Sequence, residues 1–402
     1  MKTVAIVGTF DTKGDEYAYI KERFEALGFG TYTVHCGAFA PLFEPDVSNA
    51  EVAAAAGVDI AEIEERKDRA FATDTMTRGI EALLPKLYEE GKFDGVFSMG
   101  GSGGTTIATA GMRALPIGVP KIVVSTMAAG DTSPYVGASD LVLFPSIVDV
   151  QGINGFSVTI FNNAINALAG MLQNEVPAFE SDKPLVAATM FGVTTPAVQK
   201  AQAYLEDKGY EVLVFHATGT GGKCMEALVN GGFIEGVLDL TTTEWCDELM
   251  GGVLSAGPTR CEAAALKGIP CVISTGAMDM VNFGPWDTVP AEHLERNLYK
   301  HNPTVTLMRT TIDECKKLGE ALASKINLST GPCVCMLPLK GVSMIDAEGQ
   351  PFYGAEEDAM LFATLRELID PAKAEIIEID ANINDDEFAL AAAAKLVELM
   401  QK

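Results

Sequence analysis

Short, uninterrupted apolar runs alternate with longer amphipathic stretches along most of the chain, and this alternation constrains the fold more than any other feature. The runs "TVAIVGT" (3–9), "DGVFSMGG" (94–101) and "KIVVSTM" (121–127) end in threonine, glycine or methionine, whereas "EYAYIKERFEALG" (16–28) has helical spacing. Strands that are apolar on both faces are typical of parallel sheets covered by helices. The sequence therefore predicts an α/β fold built from doubly wound parallel sheets.

The two halves of the chain echo each other, which indicates an internal duplication of one Rossmann-like unit. Helical stretches that end at Gly28 and Gly209 each lead into a strand that delivers a histidine, His35 or His216. The stretch "PAFESDKP" (177–184) lies between the halves and has the prolines and polarity of a linker. The chain has 402 residues, long enough for two cores. We predict an N-terminal domain over residues 1–180 and a C-terminal domain over residues 181–402.

The charge balance excludes some classes of partner. The 29 basic and 55 acidic side chains give a net charge of −26, which repels nucleic acid and anionic membrane. No apolar run reaches the roughly 18 residues of a membrane helix. The eight cysteines lack the paired spacing of a zinc or redox motif, so reduced thiols are expected. The composition is that of a soluble cytoplasmic protein without a nucleic-acid or membrane partner.

The loop after the first predicted strand, "GTFDTKGDE", has the features of a phosphate site. It places Gly8, Thr9, Asp11 and Lys13 just before a predicted helix, whose free N–H groups favour an anion. Lys13 can add positive charge, and Asp11 is a candidate magnesium ligand. The spacing is not that of a Walker A loop. A second interpretation is purely structural, with the glycines shaping the turn and a neighbouring aspartate capping the helix.

The loop after "DGVFSM" is a second candidate phosphate site, because it combines four glycines with hydroxyl side chains before another predicted helix. Such a loop brings backbone N–H groups close to a ligand, although a flexible turn is the alternative. Its spacing departs from GxGxxG, which disfavours a nicotinamide dinucleotide. The next predicted strand ends in "STMAAGD", where Asp131 is a second candidate magnesium ligand or a turn residue. The candidate nucleotide-binding residues here are Gly100, Gly101, Ser102, Gly103, Gly104, Thr105, Ser125 and Thr126.

The second half places charged residues of both signs at predicted loop positions after its strands. Two arginines suit a carboxylate or phosphate, and a histidine, His301 or His216, suits acid–base chemistry. These residues predict a site for a small anionic metabolite. The alternative is that they form an internal ion-pair network with a structural role. The candidate catalytic residues are Glu244, Arg260, Asp279, His301 and Arg309.

Ten short motifs in order across nearly the whole chain resemble the ATP-binding protein family related to the tomato mosaic virus resistance protein. They include "GTFDTKG", "GGSGGT", "STMAAGD", "HATGTGG", "AGPTR" and "HNPTVTLMRT". The resemblance implies two Rossmann-like subdomains, ATP and magnesium bound by the N-terminal one, and a homodimer or higher homo-oligomer. Many bacterial members of the family are uncharacterised, so the resemblance implies no particular reaction.

Three functional hypotheses follow. The first is an ATP-dependent enzyme that holds Mg-ATP in the first domain and acts on a small anionic metabolite at the interdomain cleft. The second is a non-catalytic, nucleotide-dependent protein-binding module. The third is a metabolite lyase or isomerase for which nucleotide binding is incidental. Turnover of ATP that no metabolite accelerates would favour the module.

Overall fold

The structure is a computed structural model, and it describes residues 1–174 and 182–401. The chain divides into two compact units, Met1–Phe179 (unit 1) and Glu180–Lys402 (unit 2). Most of the predicted linker, "PAFESDKP", falls on residues 175–181, which lie outside the described residues. Across the described ranges, no helix is both long and apolar enough to span a membrane.

Unit 1 is a five-stranded, fully parallel sheet with helices on both faces. The strand order is β2-β1-β3-β4-β5, so the direction of winding reverses between β1 and β3. The strands are β1 (Thr3–Gly8), β2 (Gly30–His35), β3 (Gly95–Gly100), β4 (Lys121–Ser125) and β5 (Val142–Pro145). The helices are α1 (Gly14–Ala26), α2 (Asn49–Ala55), α3 (Ile60–Arg66), α4 (Arg69–Glu89), α5 (Ser102–Arg113), α6 (Ser133–Val136) and α7 (Gly155–Gln173).

The central strands of unit 1 are apolar on both faces because both faces are covered. Val4 and Ile6 of β1 pack into the cluster beneath α1 and α7, whereas Ala5 and Val7 pack into the cluster beneath α4 and α5. All six residues of β3 are buried. At roughly 25 cal/mol per Å² of apolar surface, this burial is the main stabilising contribution.

Unit 2 repeats the winding of unit 1, with one further strand at the edge and one insertion. The order β14-β13-β9-β8-β6-β7 is parallel throughout and reverses between β6 and β8. Its strands are β6 (Leu185–Met190), β7 (Glu211–His216), β8 (Gly236–Thr241), β9 (Cys271–Gly276), β13 (Cys333–Pro338) and β14 (Glu375–Ile379). Its helices are α8 (Thr195–Asp207), α9 (Thr220–Asn230), α10 (Glu244–Met250), α11 (Ala263–Lys267), α12 (Ile312–Ile326), α13 (Ala355–Leu368) and α14 (Asp386–Met400).

The predicted fold class is confirmed: both units are parallel α/β sheets with the same doubly wound core order. The insertion was not predicted. It is a small antiparallel sheet of order β10-β12-β11, formed by β10 (Met280–Phe283), β11 (Leu298–Asn302) and β12 (Val305–Arg309). Short 3₁₀ turns cover Gly192–Thr194, Trp286–Thr288 and Ala291–His293.

The insertion corrects the expectation that all five candidate catalytic residues of unit 2 occupy loops. His301 and Arg309 lie in strands β11 and β12, and Glu244 is the first residue of α10. Arg260 and Asp279 do lie between regular elements. The motif "HNPTVTLMRT" therefore forms the turn and return strand of a hairpin, because Val305–Arg309 pairs with strands on both sides.

Candidate functional site

The two glycine-rich loops of unit 1 lie side by side at the point where the winding of the sheet reverses. Strands β1 and β3 are neighbours, and their carboxyl ends lead into α1 and α5. In open α/β sheets the helices that follow the two strands of such a point lie on opposite faces, which leaves a crevice where ligands bind. The two loops predicted to bind phosphate therefore border the same crevice.

The helices that begin at this crevice lack side-chain caps. In the described part of unit 1, α2, α3, α4 and α7 each have a capping side chain, from Ser48, Asp59, Asp68 and Asn154. The N-cap residues of α1, α5 and the four-residue α6 make no side-chain cap. The first N–H groups of a helix need an acceptor, and an uncapped N-terminus favours an anion. The two longer uncapped helices are thus the two that start at the crevice.

The glycines of the α5 loop leave room above the backbone. A Cβ placed on Gly103 would meet no atom within 4 Å, and one on Gly101 would meet only the Thr126 hydroxyl, 3.8 Å away. Gly100 differs, since its Cβ would lie 2.9 Å from the Gly104 Cα and close to the next turn. Gly100 is therefore required by local packing, whereas the space beside Gly101 and Gly103 is open to a ligand.

Two hydroxyl residues hold the α5 loop against the end of β4. Thr105 and Ser125 are buried, and their side-chain oxygens lie 2.6 Å apart. The Ser125 Oγ also accepts the backbone N–H of Met127, at 3.0 Å. These two residues therefore support the loop, while the exposed Thr126 lies at its rim. Ser102 is exposed at the first position of α5.

The loop after β1 is fixed by His35, a residue that the sequence analysis did not assign to the site. Its Nδ1 accepts the backbone N–H of Phe10, at 3.1 Å, and that of Gly37, at 3.3 Å. Its Nε2 donates to the Phe39 carbonyl, at 2.9 Å, which fixes the tautomer. The buried His35 thus ties the loop after β1 to the loop after β2. Its place at a predicted strand end was the available signal.

Tyr17 was also missed, and it explains why residue 8 is glycine. A Cβ on Gly8 would lie 1.9 Å from the Tyr17 ring. The Tyr17 hydroxyl donates to the Met99 carbonyl, at 2.6 Å, and accepts the Met99 N–H, at 3.2 Å. Burial raises the pKa of Tyr17 to about 12, so the hydroxyl stays protonated. Tyr17 therefore links α1 to the end of β3, between the two candidate phosphate loops.

Asp11 and Lys13 supply the charged groups of the β1 loop. The Asp11 Oδ2 accepts the Phe39 N–H at 3.0 Å, but its buried Oδ1 has no hydrogen-bond partner in the ranges described. Lys13 is partly exposed, and no acidic side chain pairs with it among those residues. The Thr12 hydroxyl donates to the Thr9 Oγ1, at 3.1 Å. The unpartnered carboxylate oxygen of Asp11 suits a cation. The unpaired ammonium of Lys13, beside helix N-termini without caps, suits an anion.

Asp131, the second predicted magnesium ligand, is exposed on the loop after β4. Its Oδ1 accepts the backbone N–H of Ser133, at 3.0 Å, and the Ser133 hydroxyl, at 2.6 Å. These hydrogen bonds lower the pKa of Asp131. The contacts are those of a turn residue, which was the structural alternative for this position. Among the described residues, no group of three or more histidine, cysteine or acidic side chains is arranged to hold a metal alone.

The glycine-rich loop of unit 2, "HATGTGG", binds the side-chain carboxylate of Glu244. The Glu244 Oε1 accepts the backbone N–H groups of Gly219, at 2.7 Å, and Gly222, at 3.1 Å. A Cβ on Gly222 would lie 2.4 Å from this carboxylate. The N-terminus of α9 is therefore capped by Glu244, and the space that an external anion would need is filled.

Arg260 connects this carboxylate to a second one inside the sheet. Its Nε donates to the Glu244 Oε2, at 2.6 Å, while its two terminal nitrogens form a bidentate pair with Asp239 of β8, at 2.6 and 2.7 Å. Glu226 adds a longer contact of 3.3 Å. Arg260, Asp239 and Glu244 are each at most 2% exposed. We call these four residues the Arg260 network.

Arg309 forms a separate cluster on the inserted sheet. Arg309 donates to Asp346, at 3.1 Å, and to Asp358, at 2.9 Å. Asp279 lies close enough for its carboxylate to raise the pKa of Arg309. Burial raises the pKa of Asp279 to about 6, although Arg309 opposes the shift. Burial and the neighbouring carboxyls raise the pKa of Asp346 to about 10, again against Arg309. At Asp279 and Asp346, burial therefore outweighs the opposing effect of the Arg309 guanidinium.

The five candidate catalytic residues do not form one cluster. Glu244 and Arg260 belong to the Arg260 network, and Asp279 and Arg309 to the second cluster. His301 is exposed near the tip of the β11–β12 hairpin. His216 ends the edge strand β7 and packs against the ring of Phe191. Asp239 was missed, although an aspartate inside the apolar run "EGVLDL" signals a buried partner of opposite charge.

Two parallel α/β units, one with an open crevice beside its glycine-rich loops and one with a closed ion-pair network, define a doubly wound two-domain protein. The chain belongs to the uncharacterised protein family UPF0261, whose N-terminal domain model matches residues 2–177 and whose C-terminal domain model matches residues 183–400. A UPF0261 protein of Clostridium tetani is 51% identical over 402 residues, all of both chains.

A tomato relative shows the predicted link to virus resistance proteins. The ToMV resistance protein Tm-1(GCR237) of Solanum lycopersicum is 45% identical over 341 residues, which cover 83% of this chain and 45% of the tomato protein. Among solved structures, UDP-N-acetylglucosamine 2-epimerase from Rickettsia bellii aligns over 68% of this chain and 78% of its own, with 10% identity and a TM-score of 0.23. A likeness that weak carries no functional argument.

Proposed function

We propose that unit 1 binds ATP, with the phosphates held in the crevice between the β1 and β3 loops. The observation that carries this proposal is that α1 and α5, both without side-chain caps, begin at the two loops that border the crevice. Backbone N–H groups of Gly101, Ser102, Gly103 and Gly104 would contact phosphate oxygens, as helix N-termini do in other phosphate sites. Lys13 would neutralise part of the charge.

The remaining candidate residues fit supporting roles around the same phosphates. Thr9 and Thr126 carry hydroxyls at the rim of the crevice, while Gly8 and Gly100 permit the close packing that shapes it. Thr105 and Ser125 hold the α5 loop in place through their shared hydrogen bond. The nucleotide proposal therefore uses all of the predicted loop residues, some for contact and others for positioning.

Magnesium fits this site through Asp11. Magnesium usually takes one or two carboxylates together with phosphate oxygens and water, so the site needs no complete protein ligand set. The buried, unpartnered Oδ1 of Asp11 is the oxygen available for the ion or for one of its waters. Bound magnesium would offset the triphosphate charge in a chain of net charge −26. The exposed Asp131 would contribute only through a change of its present turn contacts.

Apolar side chains next to the crevice favour a nucleotide over inorganic phosphate. Phe39 is 58% exposed and Leu42 is 65% exposed. The Phe39 N–H bonds to Asp11, and Leu42 lies against Gly14 at the start of α1. Exposed apolar groups beside an anion site provide the surface that a purine base would cover.

Two roles for bound ATP follow from the geometry of unit 2. An enzyme would act on a small anionic metabolite through the predicted catalytic residues. A nucleotide-dependent protein-binding module is favoured by the internal pairing of Glu244, Arg260 and Arg309, which leaves their charges satisfied within the chain. ATP turnover with and without a metabolite mixture separates the two roles. Sedimentation measurements test the predicted homo-oligomer.

Calorimetric titration with Mg-ATP tests the phosphate site through Gly103→Val. The added side chain enters the open space beside the loop, so we expect affinity to fall at least about tenfold, or 1.4 kcal/mol. Gly170→Val is the matched control, because Gly170 is also a partly buried glycine in a helix with nothing within 4 Å of an added Cβ. Equal affinity in the two variants, with both folded, would rule out this site.

A further inference from the structure

Two cysteines begin neighbouring strands of the unit 2 sheet. Cys271 is the first residue of β9 and Cys333 the first of β13, and the two residues are direct register partners in a parallel pair. Neighbouring strands lie about 4.8 Å apart, within the roughly 4.4–6.8 Å between Cα atoms that a disulfide bridges. Both side chains pack into the same apolar cluster, so they project from the same face of the sheet.

The two thiols differ in exposure and in the direction in which their pKa is shifted. Of the eight cysteines, all within the described ranges, seven have a raised pKa. Cys333 is the exception: a hydrogen bond from the Cys271 thiol, aided by Ser329, lowers its pKa despite burial. Cys333 is also partly exposed, whereas Cys271 is 8% exposed. A thiol that reaches solvent and favours the thiolate reacts first with an oxidant.

We propose that Cys333 and Cys271 form a reversible disulfide when the protein meets a peroxide. The Cys333 thiolate attacks a peroxide oxygen, the O–O bond breaks, and the departing oxygen takes a proton to leave as water or an alcohol. Cys333 is then a sulfenic acid. The Cys271 sulfur attacks the Cys333 sulfur, the S–S bond forms, and the hydroxyl leaves as water with the Cys271 proton. The two sulfurs lose two electrons in total, which reduce the peroxide.

This disulfide would cross-link the two strands, β9 and β13, that flank the inserted sheet of unit 2. The chain between the two cysteines contains β10, β11, β12 and α12, which leave and rejoin the main sheet at β9 and β13. A cross-link across a long loop restricts the unfolded chain more than the folded one. Oxidation is therefore expected to raise the unfolding temperature of unit 2, and a thiol reductant should reverse the change.

Peptide mapping of the full chain after hydrogen peroxide treatment tests the proposal. We expect a linked peptide pair containing Cys271 and Cys333, lost on dithiothreitol treatment. In Cys271→Ser, the Cys333 sulfenic acid should accumulate and be trapped by dimedone. In Cys333→Ser, no linked pair should form. Cys224→Ser is the control, since Cys224 is also partly buried but lies on α9, and this variant should keep the linked pair.

Three results would overturn the proposal. One is oxidation of wild-type Cys333 to the sulfinic acid without a linked peptide. Another is oxidation of Cys224 at the same rate as Cys333, which would show no selectivity. The third is a linked pair joining Cys271 to a different cysteine. Urea melts of each variant separate a lost reaction from a lost fold, because an intact midpoint shows that the serine is accommodated.

Discussion

Removing Arg260 should destabilise unit 2 strongly, because it leaves two carboxylates buried without their cation. Asp239 and Glu244 are 2% and 1% exposed, and both contact the guanidinium within 2.7 Å. Removal of one partner from a buried pair costs about 3–5 kcal/mol. At roughly 2–4 °C per kcal/mol for a domain of this size, Arg260→Ala should unfold about 6–20 °C lower than the wild type.

Tryptophan fluorescence during urea unfolding measures the stability that Arg260→Ala removes from unit 2. Both tryptophans of the chain, Trp245 and Trp286, belong to unit 2. The control is Arg366→Ala, since Arg366 pairs with Glu378 at the surface, with side chains 44% and 38% exposed. That pair should contribute about 0–1 kcal/mol. If Arg260→Ala lost no more stability than Arg366→Ala, the description of Arg260 as the centre of a buried network would be wrong.

Three further outcomes are expected. Removal of magnesium with EDTA should weaken ATP binding in calorimetry, and Asp11→Asn should remove most of that difference; equal affinities with and without EDTA would exclude the metal. Gly8→Ala should lower the free energy of unfolding by about 1–3 kcal/mol in chemical melts, because the new Cβ displaces Tyr17, whereas Gly155→Ala, with open space around it, should change it little. The folded protein should lose stability as pH rises from about 4 to 8, since burial raises the pKa of Asp247 to about 7 and that of Asp279 to about 6; a flat profile in urea melts, with Asp247→Asn unchanged from the wild type, would contradict these shifts.

The fold could be predicted because its signals are local. The run "DGVFSMGG" contains β3 (Gly95–Gly100), whose six residues are all buried. The inserted sheet could not be read in the same way, since "MVNF" and "VTLMR" are short and depend on pairing with each other across more than twenty residues. Strand propensity depends on context, and tertiary pairing determines it here.

The candidate site could be predicted only where the role of a residue follows from its place at the end of a strand. Strand-end placement correctly grouped the Gly8 and Gly100 loops, because the carboxyl ends of parallel strands share one edge. It did not reveal that Arg260 would turn inward to Asp239, since such a pairing depends on three-dimensional proximity. Nor did it reveal that both ring nitrogens of His35 would form hydrogen bonds with backbone groups. A sequence shows which groups are available but not which already have partners.

The position of Glu244 makes the helix N-terminus at α9 less open to dissolved anions than the one at α5. A carboxylate attached to the same chain competes at an effective concentration that, for short tethers, reaches the millimolar range or above. A dissolved anion must outcompete this attached group at α9, and also break its bond to Arg260. The corresponding donors of unit 1 at α5 have no such attached competitor among the described residues. Any response to a changing supply of phosphorylated metabolites would therefore reside in unit 1, while unit 2 would keep one constant state.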